Sequence, residues 1–169
     1  MVPLARVGSG DRMLMDDAQS VSRDEAPPAA LWAIAALALA PFPIAAVTYA
    51  YGPHDVVRPS LTVILTWSAV VLSFLGGVRW GMETALVRPR FYRQAISVAA
   101  AVAAWLLLLA RGRVLDSWVI AGTIAAFIIQ WLFDHQAPDV PARYPRLSTM
   151  VTGAACVSLA ICLDLAIRG

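Results

Sequence analysis

The chain has 169 residues, 60% of them apolar and 14% charged, with a formal net charge of +2 and a mean hydropathy of +0.70. A soluble domain is closer to half apolar, with about a quarter of its residues charged. The composition therefore excludes a disordered chain, a nucleic-acid binder and an ordinary soluble enzyme, and it points to a small integral membrane protein.

The first 29 residues carry five acids (Asp11, Asp16, Asp17, Asp24 and Glu25), three arginines and no apolar run. They read as a disordered tail, not a secretory signal, and their acids argue against a transit peptide. Pro27-Pro28 then open the first helix, and Met13 or Met15 could serve as a later start.

A bilayer core of about 30 Å needs about 20 apolar residues per helix. Five such runs follow: Ala30–Tyr51, Ser60–Met82, Gln94–Ala110, Leu115–Phe133 and Leu147–Ile167. Backbone polar groups cannot face lipid unpaired, so the fold class is all-α: a transmembrane bundle of five helices over residues 30–169. The loops between them are short, so any function must sit within the helices or at their ends.

In the first span, Pro41 and Pro43 predict a kink, since each removes a backbone bond. The kink is either a plain bend or the wall of a ligand cavity lined by Phe42, Phe74 and Trp67. In the second span, Ala69, Ser73, Gly77 and Gly81 recur every four residues. Such a small-residue ladder lets helix backbones approach closely in lipid. It predicts helix packing inside the monomer, with a homodimer or partner-subunit seam as the alternative.

Arg79, near the end of the same span, is a charge inside the membrane and hence a functional hint. Glu83 lies one turn along and can pair with it. Gln130 and Asp134, ending the fourth span, fall at the same depth. Arg79, Glu83, Gln130 and Asp134 are therefore expected to form a polar cluster at the inner face, the alternative being an Arg79 that snorkels to phosphates. Asp164, in the fifth span, lies near the opposite face and cannot reach them.

The loop containing Arg88, Arg90 and Arg93 reads as a contact to anionic lipid, not to nucleic acid. The remaining chemistry is sparse. Cys156 and Cys162 diverge by about 120° on one helix and cannot pair. His54 and His135 sit in loops on opposite sides. No metal spacing and no nucleophile–base set is present, so no cofactor, metal or catalytic residue is expected.

All 13 basic residues are arginine, which removes lysine Schiff-base chemistry; a GC-rich genome accounts for the bias. Eight arginines flank the odd-numbered side (tail, second and fourth loops) and four the other. The positive-inside rule then places the N-terminus in the cytoplasm and the C-terminus in the periplasm. Trp32, Trp80 and Trp131 fall toward one membrane interface and Trp67, Trp105 and Trp118 toward the other, as two aromatic belts.

The run Leu72-Ser73-Phe74-Leu75-Gly76-Gly77-Val78-Arg79-Trp80-Gly81 resembles the signature of an uncharacterised bacterial membrane family related to the mitochondrial transmembrane protein sixty-nine. Pro41-Phe42 in the first span and the Gln130…Asp134 end of the fourth match that family too, and the likeness covers Leu31 to the C-terminus. It implies an inner-membrane location and no established activity. The sequence thus predicts a non-enzymatic accessory or assembly subunit of a larger membrane complex. The alternative is a membrane binder or transporter of a small porphyrin- or sterol-like ligand.

Overall fold

The computed structural model describes residues 33, 36–85, 91–136 and 144–168. The N-terminal tail, Pro27-Pro28 and Trp32 lie outside the described residues. The chain divides into two units, Met1–Ala36 and Leu37–Gly169. The second unit is all-helical: α1 (Pro41–Tyr51), α2 (His54–Thr84), α3 (Phe91–Ala110), α4 (Asp116–His135) and α5 (Tyr144–Arg168). Helices α2 to α5 are each long and apolar enough to cross a membrane, whereas the first apolar helix is described over the shorter range Ala36–Tyr51.

The helix ends follow local chemistry. Between α1 and α2 the expected eight-residue loop contracts to Gly52-Pro53, because Pro53 holds an extended backbone (ψ 155°) and starts α2 at once, with Asp55 in its first turn. A carboxylate there is favoured by the helix dipole. Pro59 lies inside α2 and withdraws one backbone donor. Hydroxyls of Ser60 and Thr62 bond back to the carbonyls of Val56 and Arg58 (2.7 and 3.0 Å) beside it. The resulting helix of 31 residues is about 46 Å long, well beyond the hydrocarbon thickness. Between α3 and α4 the chain reverses through Gly112, whose φ of +77° suits glycine alone at low cost.

Helix α2 is the axis of the bundle and packs against all four others. Helix α1 lies against α2 and α5, α3 against α2 and α4, and α4 against α5. At the centre, Phe42 meets Phe127 edge-on, with ring centroids 6.1 Å apart at 74°. Ile64, Leu65, Leu72, Leu75, Ile120 and Leu159 complete this core. Helix α3 is peripheral, with only Ser97 and Ala104 buried.

The small-residue ladder does not pack this monomer. Ala69 borders the core, but Ser73, Gly77 and Gly81 are exposed, and a Cβ added at Gly77 or Gly81 meets nothing. The reason is geometric. Four residues turn a helix by about 400°, so an every-fourth ladder drifts about 40° per step and has rotated about 120° by Gly81. The core face instead follows Leu61, Leu65, Ser68, Leu72, Leu75, Arg79 and Glu83. The close approach falls at Gly76, where an added Cβ would collide with the carbonyl oxygen of Ser97 on α3.

Trp67 makes a contact that the belt reading does not anticipate. With α2 starting at His54, Trp67 lies thirteen residues in, about 20 Å along the helix. Its indole N–H donates to the Ala38 carbonyl at 2.9 Å. Pro41 and Pro43 cannot donate to the carbonyls four residues back, those of Leu37 and Leu39, which lie on either side of Ala38. The helix is interrupted at Ala40, which is where the predicted bend falls. An indole in an apolar layer needs an acceptor, and the Ala38 carbonyl supplies it here.

Candidate functional site

The candidate site is a buried polar cluster where α2 and α4 end and α3 and α5 begin. Its centre is Asp134, 1% exposed. Arg79 lies on the core face of α2, one turn before that helix ends, and extends to α4. Its Nη1 donates to Asp134 Oδ1 at 3.0 Å and to the carbonyl of Phe133 at 2.8 Å. Gln130, one turn earlier on α4, donates through Nε2 to the same carboxylate oxygen at 3.2 Å. Ser148, near the start of α5, donates to Oδ2 at 2.8 Å.

This set satisfies the conditions for keeping an ion pair in a low-dielectric interior. Desolvating both charges costs several kcal/mol each, and only close geometry with further hydrogen bonds offsets that loss. The carboxylate here receives a guanidinium, an amide and a hydroxyl, so its negative charge is solvated by protein. Snorkelling of Arg79 to phosphates is replaced by a tie to α4.

Of the four residues expected to cluster, Arg79, Gln130 and Asp134 are brought into direct contact. Glu83 is buried at the same end, and its recorded ion pair is with Arg93 at 3.6 Å. The sequence places Arg93 in a lipid-facing loop. It belongs to the first turn of α3, which begins at Phe91, and its side chain is turned inward beside α2. It also donates to the Tyr92 hydroxyl at 3.2 Å. Its charge is thus used within the protein, while Arg88 and Arg90 lie outside the described residues. Two cations and two anions bring the cluster to formal neutrality.

Sequence reasoning missed Ser148 and Arg93. Depth matching could have found Ser148, since α5 starts at the level where α4 ends, but an isolated serine has no periodic signal. One turn further along α5, Thr152 Oγ1 is buried and is the one such side-chain atom without a hydrogen-bond partner among the described residues. Elsewhere in the bundle, buried hydroxyls such as Ser68 and Thr123 bond the carbonyl four residues back, at 2.7 and 2.8 Å.

The ligand cavity anticipated beside Pro41 and Pro43 is not formed by Phe42, Phe74 and Trp67. Phe42 is fully buried against Phe127, Phe74 is 63% exposed on the outside of α2, and Trp67 is tied to Ala38. The cause is that Phe42 is turned into the core, whereas Phe74 lies on the outward face of α2. Cys156 and Cys162 are free thiols, the latter within the core. His135 ends α4 with its ring 4.9 Å from that of Trp131, whose indole donates to Thr149 on α5 at 2.9 Å. Among the described residues no three His, Cys, Asp or Glu side chains are grouped to hold a metal ion.

Chemically, the cluster is a neutral lock. Its carboxylate is engaged by three donors from three helices, and it fastens the ends of α2, α4 and α5 to one another. A family model described as "Protein of unknown function (DUF3429)" matches residues 27–163, a stretch that includes the whole cluster. No curated protein and no solved structure matches the chain.

Proposed function

The chain belongs to this family of unknown function, and we propose that it is a non-enzymatic accessory or assembly subunit of a larger membrane complex. The observation that carries the reading is the outward face of α2. Ser73, Gly77 and Gly81 are exposed with open space beyond the glycine Cα atoms, although the bundle already closes its own core and polar cluster without them. In lipid, small residues are where a second helix can approach closely enough for dispersion contacts to hold it. A face of this kind suits a transmembrane helix of a partner subunit.

The four long apolar helices fit a multi-pass membrane protein. In our reading the membrane is the bacterial inner membrane, with the N-terminus cytoplasmic and the C-terminus periplasmic, on the strength of the arginine distribution. The Arg79–Asp134 cluster then lies at the cytoplasmic end and acts as a structural lock, not a reaction centre. Kinship with the mitochondrial transmembrane protein sixty-nine belongs to the same reading and rests on the Leu72–Gly81 run.

The test is isolation in gentle detergent from the native membrane, followed by native mass measurement. The expected result is a mass exceeding one chain, with a distinct partner subunit present. The double variant Gly77→Leu/Gly81→Leu, whose new side chains project outward, should lose that partner and keep its helical content. A lone monomer from the wild type contradicts the reading, and a symmetric homodimer would replace the partner subunit with a second copy.

A further inference from the structure

At the end of the bundle opposite the Arg79 cluster, α1 and α5 leave a groove of about 500 Å³ between them. It is lined by the small side chains of Ala50 and Ala160 and by the outward-facing apolar Val157 and Ile161. Tyr51 and Asp164 are its polar lining residues. Val157 precedes Asp164 by seven residues, a depth difference of about 10 Å along the helix. Asp164 is one turn from the end of the apolar helix Arg146–Arg168. In a helix that spans the bilayer, this sets Asp164 toward the head groups and Val157 toward the upper acyl chain.

The polar groups at this end are only partly committed. Arg168 approaches Asp164 through Nε at 2.9 Å and Nη2 at 2.8 Å, and both contacts use the same oxygen, Oδ1. Oδ2 of Asp164 and Nη1 of Arg168 stay outside the pair. The two side chains are 55% and 73% exposed, and an exposed pair four residues apart on a helix is weakly held. Tyr51 is 86% exposed and offers a phenolic hydroxyl.

We infer that this groove binds a phospholipid with a primary ammonium head group, of the ethanolamine type. One acyl chain lies along Val157 and Ile161, the ammonium donates to Asp164 Oδ2, and the phosphate accepts from Arg168 and the Tyr51 hydroxyl. The charge pattern selects the zwitterion. A choline head group carries a cation without N–H donors, so it cannot hydrogen-bond the carboxylate, and a glycerol head group brings no cation to it.

The experiment is native mass spectrometry of the full chain, delipidated in detergent and titrated with phosphatidylethanolamine, phosphatidylcholine and phosphatidylglycerol of matched acyl chains. The expected result is an ethanolamine preference of about tenfold in Kd, the scale of one charge-assisted hydrogen bond. Asp164→Asn should reduce that preference to about twofold or less, and Ala160→Trp, which fills the groove, should weaken all three lipids. Both positions face outward, so unchanged thermal unfolding establishes that the variants fold, and Asp164→Ala repeats the test should Asp164→Asn fail. Equal retention of the three head groups, a preference for phosphatidylglycerol, or an ethanolamine preference that survives the Asp164 substitution would overturn the inference and leave annular lipid only.

Discussion

Replacing Asp134 with alanine leaves the Arg79 guanidinium buried without its counter-charge. At the observed 3.0 Å separation, the Coulomb attraction is about 5.5 kcal/mol for an effective dielectric constant of about 20. Desolvation of the two charges cancels much of this in the intact pair. Removing one partner does not recover the desolvation of the other, so the single variant should lose about 3–5 kcal/mol. Gln130 and Ser148 lose their acceptor as well. Against a typical total stability of about 5–15 kcal/mol, this is a large fraction. Arg79→Met alone should cost less, because Asp134 keeps the Gln130 and Ser148 donors. The double variant Arg79→Met/Asp134→Leu removes both charges and should be more stable than Asp134→Ala. The assay is reversible unfolding in mixed detergent micelles, followed by far-UV circular dichroism, over the full cycle Arg79→Met, Asp134→Leu and both. The expected coupling is about 1–3 kcal/mol. Additivity within about 0.5 kcal/mol would refute the lock, and so would a loss below about 1 kcal/mol for Asp134→Ala.

Four further substitutions separate the packing claims, all read by the same unfolding assay. Gly76→Ala sets a Cβ against the Ser97 carbonyl and should cost about 1–3 kcal/mol, whereas Gly77→Ala meets open space and should be neutral or gain up to about 1 kcal/mol; equal effects would contradict the α2–α3 contact. Thr152→Val replaces an unpartnered buried hydroxyl with a methyl group of the same shape and should stabilise by about 1 kcal/mol, and a loss would mean that the hydroxyl has a partner. Trp67→Phe removes the bond to Ala38 and should cost about 1 kcal/mol beyond the lost area, with the shift visible as a change in amide exchange around Ala40.

Much of this architecture is legible in the sequence, because a membrane imposes it. Runs of about 20 apolar residues read directly as helices, and the helices found differ from them chiefly at their ends. The α2 boundary differs because the apolar run begins only at Ser60, whereas the helix starts after Pro53 through the polar residues His54, Asp55 and Arg58. The core of the polar site was legible too. Arg79 and Asp134 are charges at matched depth in parallel helices, and a charge in lipid must find such a partner. Arg93 was misread because a loop placed between hydropathy windows absorbed the first turn of α3. The ladder was misread for a different reason. Spacing by four resembles a helix face, but the accumulated drift carries Gly77 and Gly81 out of the core and leaves Gly76 at the crossing. Side-chain choices such as Phe42 filling the space beside its flanking prolines depend on which helix lies opposite, and one-dimensional spacing does not encode that.

The proposed partner face is tested most directly by photo-crosslinking in intact membranes, with a photoreactive residue placed at Gly77 and, as the control, at the exposed Val102 of α3. The account predicts a discrete higher-mass protein adduct from position 77 and only lipid adducts from position 102. No protein adduct at 77, or the same adducts from both positions, would contradict it.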